Sequence, residues 1–239
     1  MQERLLAWFA ENDRDLPWRH TRDPYAILVS EVMLQQTQVA RVVPRYLVWL
    51  ERWPTVHALA AASPAEVIRG WQGLGYNRRG LNLHRAARLI AGHGWPEDLT
   101  ELPGVGRYTA DAVGAFAFGR PVLPLDVNIR RVIERSGRKF DHRAAQALFD
   151  LGATVCLARV PRCGTCPLAD GCPSRGRRWE PERKQGSLEG SFRQRRARTL
   201  RLVAAEGRRL DDLDGEAVES LARDGLVVVD GAFVALPGS

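Results

Sequence analysis

An all-α body followed by a small α+β module is the fold class that this sequence predicts. Three observations carry it. Apolar residues recur at helical spacing along most of the chain. No convincing alternation of period two occurs before the C-terminal segment. Two short β-rich runs, "LVVVD" and "AFVALP", then stand at the end, joined at Gly231.

Leu5, Leu6, Trp8 and Phe9 suggest a short amphipathic first helix. "RDLPWRHTRDPY" reads as a loop broken by Pro17 and Pro24. Helical spacing resumes through "YAILVSEVMLQQTQVARVVPRYLVWLERW". "SPAEVIRGW" has Ser63 at the N-cap, Pro64 at the first helical position and Glu66 three after the cap, a capping box. "NRRGLNLHRAARLIAGHG" is a helix ending in glycine. "GRYTADAVGAFAFG", "DVNIRRVIERSG" and "HRAAQALFDLGATVC" continue the pattern. "RGRRWEPERKQGSLEGSFRQRRAR" is basic, poor in apolar residues and reads as a linker. Helix-like "RTLRLVAAEG", a second around "DGEAVESLARDG" and the terminal hairpin suggest a winged-helix-like module. A segment this short is marginal alone, so it is expected to pack on the rest of the chain.

The chain has 239 residues, enough for one large or two small domains, and its 45% hydrophobic content supports a proper core. A formal net charge of +7 favours a polyanionic partner, although many basic proteins bind nothing of the kind. Lys139 and Lys184 are the only lysines, so arginine supplies nearly all the basic charge. Genomic base composition accounts for such a bias, although arginine is also the better forked donor to phosphate. No apolar run is long enough to span a membrane. "MQERLLAWFAENDRDLPW" carries acids where a signal peptide would be basic. The expectation is a cytoplasmic, nucleoid-associated protein without structural disulfides.

All four cysteines fall in "CLARVPRCGTCPLADGC", spaced Cys-x6-Cys-x2-Cys-x5-Cys at Cys156, Cys163, Cys166 and Cys172. Clustering in a reducing compartment points to metal over disulfides. Zinc and a [4Fe-4S] cluster both accept four thiolates. Only one short Cys-x2-Cys pair is present, among proline-broken loops, which favours the cluster. The cluster would be structural. Arg159, Arg162, Arg175, Arg177 and Arg178 crowd around the loop, suited to phosphates or to a solvated basic face.

"LPGVGRYTADAV" must turn sharply between two helices. Gly104 and Gly106 permit close approach, and the amides opening the next helix could hold a phosphate. The same pattern also fits an ordinary αα turn. Glu31, in "SEVMLQQT", sits in an apolar and amide-rich stretch, where a buried carboxyl should have a raised pKa. Asp126, in "VLPLDVNIRRV", reads as an N-cap.

The hairpin, the later aspartate and the cysteine loop together resemble the helix-hairpin-helix DNA glycosylases of the endonuclease III superfamily. "LPWRHTRDPYAILVSEVMLQQTQVARVVPRY" and "WQGLGYNRRGLNLHRAA" resemble the MutY family of adenine glycosylases in particular, and the likeness covers roughly residues 4 to 175. The resemblance implies two all-α lobes with double-stranded DNA between them, carrying a mismatch or lesion, and a target base flipped out of the duplex. Residues 23–121 would form a six-helix barrel lobe with the helix-hairpin-helix. Residues 1–22 and 122–178 would form the lobe of the N-terminal helix and the iron-sulfur cluster. A linker at 179–191 and the winged-helix-like module at 192–239 would follow. The resemblance also implies a monomer.

The resemblance assigns roles to residues. Glu31 would protonate adenine N7 and then help to activate water. Asp126 would stabilise the oxocarbenium-like sugar, with Asn128 orienting it. Tyr108 stands where relatives that cut the strand carry a lysine, so the implied reaction is monofunctional hydrolysis to an abasic site. Gln36 and Tyr76 match the residues that wedge into the duplex. Gly104, Gly106, Arg107 and Thr109 would anchor the DNA strand. Arg19 and Gln146 are candidates for the flipped base.

The target would be adenine mispaired with 8-oxoguanine or guanine. A thymine or uracil glycosylase acting on T·G or U·G is the alternative. A non-catalytic iron-sulfur DNA-binding protein is a more remote one. The sequence departs from the family pattern in several places. Val127 replaces a usual glycine, and Asn77 a usual aromatic. The segment from Asp126 to Cys156 is short. The tail reads as a winged helix where a Nudix-like domain is usual.

Overall fold

The computed structural model describes residues 1–179 and 186–238. The middle of the expected linker, residues 180–185 with Lys184, lies outside the described residues. The described chain is helical up to a small C-terminal sheet, and no helix in it is long and apolar enough to cross a membrane.

The helices are α1 (Gln2–Asn12), α2 (Pro24–Leu34), α3 (Val39–Arg52), α4 (Val56–Ala61), α5 (Pro64–Gly70), α6 (Arg78–His93), α7 (Arg107–Phe116), α8 (Val127–Ser136), α9 (Ala145–Asp150), α10 (Phe192–Ala205) and α11 (Gly215–Arg223). The strands are β1 (Arg208–Arg209), β2 (Val228–Asp230) and β3 (Phe233–Ala235). Pro24 does not break the chain as expected. It begins α2, where a missing amide costs nothing, and Asp23 accepts the next two amides, from Tyr25 and Ala26. The long apolar run after it is two helices, split by a turn at Gln36 with φ of 56°.

The chain divides into two compact units. One comprises Met1–Ile27 and Gly106–Lys184. Its core joins Leu5 of α1 to Ile129 and Val132 of α8, Leu148 of α9 and Leu168 of the cysteine loop. The other comprises Leu28–Val105 and Gln185–Ser239. In it the capping box forms as read: the Ser63 hydroxyl accepts from the Glu66 amide, and the Glu66 carboxylate accepts from the Ser63 amide. The C-terminal sheet is antiparallel in the order β1-β3-β2, with Val229 facing Val234 and Arg209 facing Phe233 across the pairs. Ala65 and Ile68 of α5 share a core with Leu200, Val218, Leu226 and Val234. That shared core is how so small a segment buries an apolar face.

Candidate active site

Asp126 ends an extended run and caps α8, as the sequence suggested. Its Oδ1 accepts from the Ile129 amide at 2.6 Å. The other oxygen, Oδ2, accepts from Asn128 Nδ2 at 2.7 Å. Asn128 is itself held: its Oδ1 accepts from Arg131 Nη2 at 2.7 Å. Arg131 also donates to the Gly152 carbonyl (2.7 Å) and, through Nε, to the Cys156 carbonyl (2.8 Å). A hydrogen-bonded chain therefore runs from the first cysteine of the loop to the Asp126 carboxylate. Gly152 lies in a π-helical turn, Leu151–Val155, that continues α9. A Cβ there would stand 2.8 Å from Asn128 Cβ, so only glycine admits this approach.

The four cysteines form no disulfide, and together they line one cavity with Arg135, Pro161 and Arg175. Arg135, buried in α8, donates to the Leu157 and Ala158 carbonyls (2.7 and 2.6 Å) and stacks over the Trp179 ring at 4.5 Å. Arg135 Nη1 lies 3.9 Å from Cys156 Sγ, and the Gly176 amide donates to Cys163 Sγ at 3.4 Å. Burial pushes the Cys166 thiol up, and the other three thiols add to that push. Four thiols lining one cavity, with nearby N–H donors, are a donor set whose chemistry fits a thiolate-bound centre. Among the described residues, no group of three or more His, Cys, Asp or Glu is placed to hold a single metal ion. Arg159, Arg162, Arg175, Arg177 and Arg178 are exposed around the loop.

In the same unit Tyr108 is half-buried on α7, its ring edge-on to Phe149 with centroids 6.3 Å apart. Arg107 is exposed and pairs with Asp111 at 3.0 Å. Gly106 is exposed at the N-cap of α7, while Thr109 is buried at 2%. Thr109 thus faces the core, where helical spacing sets it with Ala110, Ala112 and Val113. Arg19 has a partner the sequence did not suggest. Its fork is bidentate on the fully buried Asp150 (2.7 and 2.8 Å), which also takes the Arg14 amide and Nε. Burial opposes the Asp150 charge, yet the hydrogen bonds of Arg19 and Arg14 together hold its carboxyl below the usual range. Gln146 is half-buried on α9.

In the other unit Glu31 is 6% exposed on α2, a helix whose Leu28, Val29, Val32 and Met33 are all buried. Gln36 and Tyr76 stand exposed on turns, and Gly104 is exposed with φ of 79°. Asn82 blocks any side chain at Gly104, since a Cβ would approach Asn82 Cβ to 2.9 Å. Sequence reasoning missed Arg131, Arg135 and the Arg14–Arg19–Asp150 group. Only Arg131 had a signal, its i,i+3 spacing from Asn128.

Residues 29–149 match the HhH-GPD superfamily of base excision DNA repair proteins. The adenine DNA glycosylase of Mycobacterium tuberculosis is 42% identical, aligned over 98% of this chain and 92% of that protein. The adenine DNA glycosylase of Mycolicibacterium smegmatis is 47% identical over 69% of this chain and 66% of its own length. Among solved structures, a thermostable thymine-DNA glycosylase superposes with a TM-score of 0.65 at 28% identity, covering 72% of this chain and 93% of that one. The capped aspartate and the hairpin lie inside the matched region, and the adenine glycosylase alignment extends over nearly the whole chain. The chain belongs to the helix-hairpin-helix base excision repair superfamily, among its adenine DNA glycosylases.

Proposed function

We propose that the protein excises adenine mispaired with 8-oxoguanine or guanine from double-stranded DNA, hydrolysing the N-glycosidic bond and leaving an abasic site. The observation that carries this reading is the fixed Asp126 carboxylate, one oxygen on the Ile129 amide and the other on Asn128. Each carboxylate oxygen has two acceptor positions, so both retain capacity toward a developing cation. Glu31 protonates the flipped adenine at N7. The C1′–N9 bond then breaks with its electron pair leaving on the base. Asp126 stabilises the oxocarbenium-like sugar. Water adds to C1′ and its proton returns to Glu31.

The amides around exposed Gly104 and Gly106 hold a phosphate of the target strand, with Arg107 beside them. Gln36 and Tyr76 wedge into the duplex next to the opposing base. Arg19, locked on Asp150, and Gln146 border the base. Tyr108 offers no amine, so no Schiff base forms and the strand stays intact. Cys156, Cys163, Cys166 and Cys172 would hold a [4Fe-4S] cluster, which supplies a structural clamp on the loop and takes no part in the reaction. Their shared cavity and the Gly176 and Arg135 donors support that assignment. The C-terminal helices and sheet are a winged-helix-like module, and the protein acts as a monomer.

Single-turnover excision on A·8-oxoG, A·G, T·G and U·G duplexes tests this. Adenine should be released from the first two, with strand breaks only after alkali. Preferential thymine or uracil release would overturn the substrate, and alkali-independent cleavage the monofunctional reading. Iron and sulfide at four atoms each per chain, counted by chemical assay, are expected for one cubane cluster.

A further inference from the structure

Gln36 and Tyr76 are, among the described residues, the non-glycine positions with positive φ, at 56° and 46°. Such backbone persists only where the surroundings over-determine it. Both turns belong to the unit Leu28–Val105, and both side chains are exposed, Tyr76 at 45%.

One half-buried side chain reaches both turns. Arg79, in the first turn of α6, donates through Nη1 to the carbonyls of Val32 (2.7 Å), Met33 (3.0 Å) and Gln35. The first two are carbonyls in the last turn of α2, which lack helical partners there, and the third follows that turn. Through Nη2 it donates to Thr37 Oγ1 and to the Gly75 carbonyl, both at 3.0 Å. Gln35 and Thr37 flank Gln36, and Gly75 precedes Tyr76. Thr37 Oγ1 also reaches the Leu74 carbonyl at 3.3 Å, tying the two turns directly. The guanidinium lies 5.4 Å from the ring centroid of the fully buried Trp71 and 5.6 Å from that of Tyr76. Only a planar fork can serve two separate turns at once; a lysine ammonium is a single point.

We infer that Arg79 is a positioning residue that fixes the Gln36 and Tyr76 tips relative to each other, so that they enter the duplex as a preformed pair. A pair set in advance spends no binding energy on ordering two strained turns. The inference rests on the reading of Gln36 and Tyr76 as the duplex wedge.

The test combines two measurements on the full chain. Amide hydrogen exchange on the free protein reports the turns. Affinity and fluorescence with a duplex carrying 2-aminopurine at the target position report wedging and flipping. Arg79→Met should raise exchange at residues 35–37 and 75–76 together and weaken mismatch binding roughly a hundredfold. Arg79→Lys should fail to restore either. In a background of Gln36→Ala with Tyr76→Ala, adding Arg79→Met should cost little more. Full additivity in that cycle, or exchange raised at one turn alone, would overturn the inference. If truncating both tips leaves affinity and fluorescence intact, the wedge reading itself fails, whatever exchange shows of Arg79. Should Arg79→Met not fold, Thr37→Val removes one acceptor of the fork and should give the same paired exchange at smaller size; unchanged exchange in it overturns the inference.

Discussion

Asp126 and Glu31 are carboxylates with opposite surroundings. Asp126 is half-buried, and each of its oxygens meets an N–H donor. Behind it a further arginine links Asn128 to the cysteine loop. Glu31 is buried in a helix whose neighbouring positions are almost all apolar. On the proposed reading the two divide the work, Asp126 stabilising the sugar cation and Glu31 serving as the acid.

The largest effect should come from the anion. Asp126→Asn should reduce base release by about a thousandfold or more while DNA affinity stays within a few-fold. Asparagine caps helices as well as aspartate does, so the fold is kept and the loss isolates the charge. Gel-shift and single-turnover assays on one duplex decide it. Parallel loss of binding would reduce Asp126 to a cap.

Glu31→Gln comes next. It removes a proton donor and leaves the shape of α2, and adenine excision should fall by about a hundredfold to ten-thousandfold, the usual range for general acid–base catalysis. Full activity in a rapid-quench assay would erase the contrast between the two sites.

A smaller loss belongs to the relay. Arg131→Met should lower the excision rate by about ten- to a hundredfold, the usual cost of removing a group that orients a functional ligand. Affinity for the duplex should hold. Arg131→Lys should not rescue it, because one ammonium cannot serve Asn128, Gly152 and Cys156 together. Equal rate and affinity losses would show the relay supports folding alone.

Much of this contrast was legible in the sequence, because it follows local rules. The Asp126 cap, the Ser63–Glu66 box and the cysteine spacing each need only a few consecutive residues. The same holds for Glu31 in its apolar run. What stayed hidden is long-range or short. Arg19 meets Asp150 across 131 positions, and Arg79 meets Val32 across 47. In a chain so rich in arginine, nothing local separates one that crosses to carbonyls from one in solvent. The six-residue α4 and two-residue β1 are too short to show a period. Thr109 is a different case: the hairpin motif pointed to it, and helix phase turns its side chain inward.

The smallest effect sets the scale for the others. Ser63 and Glu66 form a cap with no proposed part in the chemistry, so Ser63→Ala measures what a cap alone is worth. Stability should fall by about 1 kcal/mol, read by chemical denaturation, with excision unchanged well below the melting temperature. A thousandfold rate loss at Asp126 corresponds to about 4 kcal/mol, well beyond what capping can supply. The box should also titrate. Hydrogen bonds from the Ser63 amide and hydroxyl hold the Glu66 carboxyl below its usual value. Its contribution is therefore present above the unfolded-state carboxylate pKa and is lost as pH falls through the folded one. The stability gap between the protein and Ser63→Ala should narrow across that acidic window. The Ser63 amide bond to Glu66 is kept in both proteins, so a gap that stays constant there would mean that the hydroxyl gains nothing from the Glu66 carboxylate, leaving its bond to the Glu66 amide as its whole contribution.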